Sequence, residues 1–224
     1  MNRLFGMDSP LINTLMKVGD CLCLSLLWLV FSLPVITIGA SSAALYAAVY
    51  HCLRRNEPGV WKYFWNAFKE NLKRSTLAWL IELLILAVLT LDTAVFRSIR
   101  ISGGAMGNFY WVALFVEAIA LTWTAFVAAY AARFNGTVKE ILKYGFILMR
   151  LHPIKTLSIM LPIVAGVALS LMVPFMMLFA PAIVCWLNCI SIEKIFRLHM
   201  QPEDLEKEAA LDALDQESKQ NERR

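Results

Sequence analysis

Residues 21–50 read CLCLSLLWLVFSLPVITIGASSAALYAAVY, a stretch without one Asp, Glu, Lys or Arg. A second uncharged stretch, residues 156–192, reads TLSIMLPIVAGVALSLMVPFMMLFAPAIVCWLNCISI. A helix crosses the hydrocarbon core of a bilayer with about 20 mostly apolar residues. Both stretches exceed that length. The second would be about 55 Å long as one helix at 1.5 Å per residue, so it must fold back. The chain therefore reads as an all-α, polytopic transmembrane helix bundle.

Composition supports this class. Of 224 residues, 59% are hydrophobic and 17% charged, with a mean hydropathy of +0.60. Ordinary globular domains are about 45–50% apolar and about 25% charged. Residues 1–200 carry 17 Lys/Arg against 9 Asp/Glu, whereas residues 201–224 carry 4 against 8. The first part reads as the membrane domain and the second as a charged cytoplasmic tail, with a weak stripe of Leu205, Leu211 and Leu214. The basic residues lie between apolar runs, where they set membrane orientation. No basic face with interleaved aromatics marks a nucleic-acid partner. Four of the five cysteines, Cys21, Cys23, Cys185 and Cys189, lie inside apolar runs and read as small hydrophobes; the fifth is Cys52. No His or carboxylate completes a metal set around Cys185 and Cys189, and no cofactor motif appears. Residues 1–20 lack the pattern of a cleaved leader, so the first span is expected to stay in the membrane.

Six spans are preferred, near residues 11–33, 40–55, 76–96, 109–132, 155–173 and 176–196, with five as the alternative. The two counts differ at Leu33-Pro34-Val35-Ile36-Thr37-Ile38-Gly39, which is either a turn between two spans or a kink in one. Pro34 removes a backbone donor and Gly39 permits a turn. The last run is expected to fold back near Pro174, which leaves Pro181 inside the final span. Two amphipathic helices are expected on the cytoplasmic side. In one, Trp61, Phe64, Trp65, Phe68 and Leu72 oppose Lys62, Lys69 and Lys73. It can lie in the headgroup layer or pack under the bundle. The other starts at Asn135-Gly136-Thr137 and opposes Val138, Ile141 and Leu142 to Lys139 and Lys143. The links 51–75 and 133–155 hold six and five Lys/Arg, against two in 97–108. That bias places the first two links and the C-terminus in the cytoplasm. A span, an amphipathic helix and a returning span recur at an offset of 80 residues, Tyr50 matching Tyr130 and Thr76-Leu77 matching Thr156-Leu157.

The informative polar residues are the acids inside spans. Glu82 and Glu117 lie in neighbouring spans, and an ionised carboxylate near the bilayer centre costs about 2.5–3.5 kcal/mol on insertion scales. One reading is a shared site for a proton, a cation or a polar substrate. The other is a protonated acid bonded to Ser75, Thr122, Thr124 or a backbone carbonyl. His51 and His152 stand near the cytoplasmic boundary without a partner base. Lys62, Lys69, Lys139 and Lys143 are candidates for lipid-headgroup contact or for docking a partner. No nucleophile–base set or phosphate loop is present, so an enzyme is not expected.

Phe5, Asp8-Ser9-Pro10, Leu26-Leu27-Trp28, the segment from Ser32-Leu33-Pro34 to Gly39-Ala40, Ala43-Ala44-Leu45-Tyr46 and Phe68-Lys69-Glu70-Asn71 together resemble the YesL-like family of bacterial integral membrane proteins. The resemblance covers roughly residues 1–200. It implies a multi-pass protein of the bacterial cell membrane whose molecular activity is unknown. It also implies an association with carbohydrate uptake, and supplies no catalytic residues. Two functions follow as expectations. One is an accessory or regulatory component serving a carbohydrate transporter or its subunits. The other is a small secondary transporter that uses its intramembrane carboxylates.

Overall fold

The computed structural model describes residues 10–55 and 57–200, together with 206 and 210. The remainder of the tail, including Leu205, Leu211 and Leu214, lies outside the described residues, as does Phe5. Among the described residues the chain is helical, with no strand. The helices are α1 (Pro10–Ser32), α2 (Ile38–Ala48), α3 (Val60–Ile101), α4 (Phe109–Arg133), α5 (Val138–Leu151), α6 (Pro153–Met172) and α7 (Ala180–His199).

The Leu33–Gly39 segment is a turn between two helices. Pro34 starts it, and the Thr37 hydroxyl donates to the carbonyl of Phe31 at 2.6 Å, satisfying an orphan at the end of α1. Trp79 of α3 donates its indole N–H to the Val35 carbonyl at 2.7 Å, tying the turn to the bundle. α2 then runs into a π-helical stretch, Val49–Arg54, which ends the second span.

Contacts fix the register of the rest. Gly39 meets Ser75 and Trp79, while His51 stacks on Tyr63, so α2 and α3 are antiparallel. Arg74 reaches Ala131 and Phe96 meets Phe109, so α4 returns along α3. Gly166 faces Val184 and His152 faces His199, so α6 and α7 form a third hairpin. The six long helices alternate in direction. One end of the bundle gathers the end of α2, the start of α3, the end of α4, the start of α6 and the end of α7, with their Arg and Lys residues.

Among the described residues, five helical segments have the length and apolarity to cross a membrane: Leu15–Ser32, Val35–Arg54, Val60–Ile101, Met106–Arg133 and Pro153–Met172. α7 runs antiparallel to α6 with a comparable length, but Glu193, Lys194 and Arg197 lie in its last turns. Apolar side chains cover the outside, including Leu84, Val88, Leu91, Val112, Phe115, Leu161 and Val167. A water-facing surface would not carry such a patch, and the chain is accordingly a multi-pass membrane protein.

Three expectations are corrected. The first amphipathic segment is not a separate helix; it is the first half of α3, which runs unbroken from Val60 to Ile101. No Pro or Gly interrupts that stretch, so nothing ends the helix at Ser75. The same continuity weakens the repeat, because the corresponding part of the second unit is broken at His152-Pro153 into α5 and α6. Finally, Pro181 lies in the first turn of α7, where its missing N–H is harmless. The proline inside a span is instead Pro162 of α6. The fold-back itself occupies a 3₁₀ segment, Pro174–Leu178.

α3 and α4 outreach their neighbours. The last buried residue of α3 is Glu82 and the first of α4 is Ala120. Beyond those positions the two helices pair with each other and expose their outer faces, as an arm. At its tip Arg100 lies over the rings of Tyr110 and Trp111, at 5.5 and 4.7 Å.

Candidate functional site

A half-open cavity of about 540 Å³ lies between α1, α2, α3, α4, α6 and α7. Small residues shape it. Gly39 lets α2 approach the α3 backbone, and a Cβ at Gly166 would lie 2.6 Å from a Val184 methyl. Most of the wall is apolar, formed by Ile38, Leu45, Val127, Ile163, Val167 and Val184 among others. Few polar side chains reach it.

Glu82 is one of them. It is 3% exposed, it lines the cavity, and its Oε1 has no hydrogen-bond partner among the described residues. The same holds for Oδ1 of Asn188, on α7, and for Oγ of Ser75, two turns before Glu82 on α3. The hydrogen bonds that would make Glu82 a satisfied structural acid are absent. Thr122 donates to Ala118 and Thr124 to Leu121, each within its own helix.

Glu117 is elsewhere. Its two carboxylate oxygens accept from Thr90 and Thr93, each at 3.0 Å, in the arm. Thr90 and Thr93 lie eight and eleven residues along α3 from Glu82, about 12–16 Å at the helical rise. Glu82 and Glu117 therefore do not share a site. The cytoplasmic candidates are also spread out. Lys62 and Lys69 stand exposed on the first half of α3, with Lys69 over the Trp65 ring at 4.8 Å. Lys139 and Lys143 are exposed on α5. The opposite face of α5 packs on α4, with Gly145 against the Val127 backbone.

Glu193 is a residue that the sequence alone does not single out. It is fully buried on α7 and accepts from the Tyr46 hydroxyl at 2.9 Å. Arg133 approaches it at 3.3 Å and Arg54 at 3.7 Å. The π-helical turn carries Tyr50 and Arg54 into this group, and Arg133 lies 4.4 Å from the Tyr50 ring centre. Tyr46 and Ile192 also line the cavity, so the charged network adjoins it. The available signal was periodicity: Cys189, Ile192, Glu193 and Phe196 share one helical face, and the apolar members are buried. Beside the network, His51 binds Glu57 at 2.9 Å and stacks on Tyr63. His152 lies against His199, ring centres 5.1 Å apart. The described residues contain no cluster of three or more metal-ligating side chains.

A family model described as a protein of unknown function, DUF624, matches residues 21–93. The match runs from the first apolar stretch through the turn and α2 into α3. It takes in Ser75 and Glu82 but not Asn188 or Glu193. The chain is thus similar, over that part, to a family without an assigned activity. No curated protein and no solved structure matches it.

Proposed function

We propose that this protein is a small membrane carrier that binds a small molecule inside its helix bundle. The observation that supports this reading is the cavity of about 540 Å³ with Glu82 buried in its wall and one carboxylate oxygen unbonded. Ligand pockets commonly span about 300–1,000 Å³, mostly apolar, with a few placed polar groups. A buried polar atom without a partner costs about 1–3 kcal/mol, which a ligand can recover. The role is binding and passage rather than catalysis. Gentle extraction and native mass spectrometry test it. The intact protein should carry a small molecule that an Ala125→Trp variant, with the cavity filled, does not. A ligand-free wild type would sink the reading.

The same reading puts the basic end of the bundle in the cytoplasm, and the bias of Lys and Arg toward that end supports it. On this reading both chain ends face the cytoplasm of a bacterial cell. A fluorescent protein fused after Arg224, of a type that matures only in the cytoplasm, should glow; a dark fusion at normal abundance would reverse the orientation.

A second reading has its own support in the exposed Lys139 and Lys143 of α5. Together with the resemblance to YesL-like proteins, they favour an accessory or regulatory component docked to a carbohydrate transporter. Charge reversal at both lysines should then strip a co-purifying permease or ATPase subunit while the bundle stays folded. Unchanged co-purification would remove α5 as the docking surface.

A further inference from the structure

We infer that the cavity takes a monovalent organic cation: an apolar body carrying one protonated amine, which sits against Glu82 and Asn188. This rests on the reading of the cavity as a binding site and adds the ligand's chemistry.

The hydrogen-bond inventory of the wall carries the inference. The atoms left over include Glu82 Oε1, Asn188 Oδ1 and Ser75 Oγ, all of which can accept, while the Ser75 hydroxyl and the Asn188 amide can also donate. Five of the wall's donors are committed. Trp28 gives its indole N–H to Ser42 at 3.1 Å and Trp79 gives its own to the Val35 carbonyl. The Thr124 hydroxyl is spent on Leu121, that of Ser170 on Gly166 and that of Tyr46 on Glu193. The group that discriminates between ligands is the Glu82 carboxyl, whose Oε1 is left for a ligand that donates. Glu82 is the one acid in the wall, and no Lys, Arg or His is there to neutralise it. A single positive charge on the ligand is therefore the electrostatic complement. Trp28 and Trp79 add indole rings to the wall, and an ammonium group is attracted to such ring faces.

The same inventory excludes neighbouring classes. An anion would meet Glu82 without a compensating cation. A polyhydroxylated ligand would bring several donors and acceptors into a mainly apolar cavity, each unpaired one at a penalty. A bare divalent ion such as calcium takes about six to eight oxygen ligands, more than the wall supplies.

The test uses the full chain, purified in detergent, with two probes of nearly equal shape: 4-phenylbutylammonium and its neutral analogue 4-phenylbutanol. Equilibrium binding should favour the ammonium by about tenfold or more, the value of one charge-assisted hydrogen bond. Glu82→Gln should bring the ammonium down to the level of the alcohol, with its unfolding midpoint recorded to show that it folds. Asn188→Leu should weaken the ammonium selectively. If both probes bind wild type equally and Ala125→Trp blocks both, the cationic class is overturned while the cavity stands as a binding site. If neither binds wild type, the inference fails together with the carrier reading for ligands of this size.

Discussion

Gly39 has no room for a side chain. A Cβ there would collide with the Ser75 carbonyl and sit 2.5 Å from the Trp79 Cβ. The obstacles belong to the α3 backbone and a fixed stem, so α2 and α3 would have to separate. Gly39→Ala is expected to destabilise the bundle by about 1–3 kcal/mol, the usual range for overpacking, read as a lower midpoint of thermal unfolding in detergent. Glu193→Gln should cost a similar amount, about 1–3 kcal/mol, because it removes the counter-charge of Arg54 and Arg133. Those arginines are 27% and 20% exposed, so water recovers part of the loss. Glu57 supplies a pH dependence. Burial alone would raise its carboxyl, but the Tyr63 hydroxyl, His51 and Arg55 more than offset this and hold it below its usual 4.5. Its folded value is the lower one, so its stabilisation is present above about pH 4.5 and fades as pH falls through the depressed value. Glu57→Gln should flatten that acid limb in a series of unfolding midpoints; an unchanged slope would count against it. Gly39 and Glu82 could be picked out from the sequence, one from the turn and the other as an acid in an apolar run. The role of Glu193 could not, because Tyr46, Arg54 and Arg133 lie 60 to 147 residues away and no local pattern joins them.

Among the described residues, α5 is the helix whose start is closed by a side-chain capping pair. The Thr137 hydroxyl accepts from the Glu140 N–H, and the Glu140 carboxylate accepts from the Thr137 N–H at 2.8 Å. This reciprocal pair satisfies two orphan donors. Thr137→Ala should cost about 1 kcal/mol, seen as faster hydrogen exchange over the first turn of α5 with little change deeper in α4. The start of α5 was legible in Asn135-Gly136-Thr137, and the fold-back in Pro174, because both are written in local chemistry. The continuity of α3 was harder to see. Its first half is amphipathic and its second half apolar all round, so the change of pattern at Ser75 looks like a boundary. The backbone has no reason to stop there, since pattern reports what surrounds a helix rather than where the helix ends. The same limit explains Glu117. Each acid's depth in its own span was readable, but the offset between α3 and α4 is set by the arm's turn and by packing, and it places Glu117 opposite Thr90 and Thr93.

For the whole molecule, α3 spans 42 residues, about 63 Å at the helical rise, against a hydrocarbon core of about 30 Å. Such a helix must lean strongly or carry the arm's tip out of the hydrocarbon. Stability in lipid vesicles should therefore rise as acyl chains lengthen; an optimum in thin bilayers would contradict the arm's apolar length. Rigidity adds something that length alone does not. Ser75, Trp79 and Glu82 belong to the cavity wall, and the same rod continues without a hinge for nineteen residues to Ile101, about 28 Å further. On the proposed binding reading it would act as a lever with its short arm at the cavity. A rotation of roughly 5° about the cavity would swing the tip by about 2.5 Å over that length, so occupancy deep in the bundle would be written as motion at the opposite face.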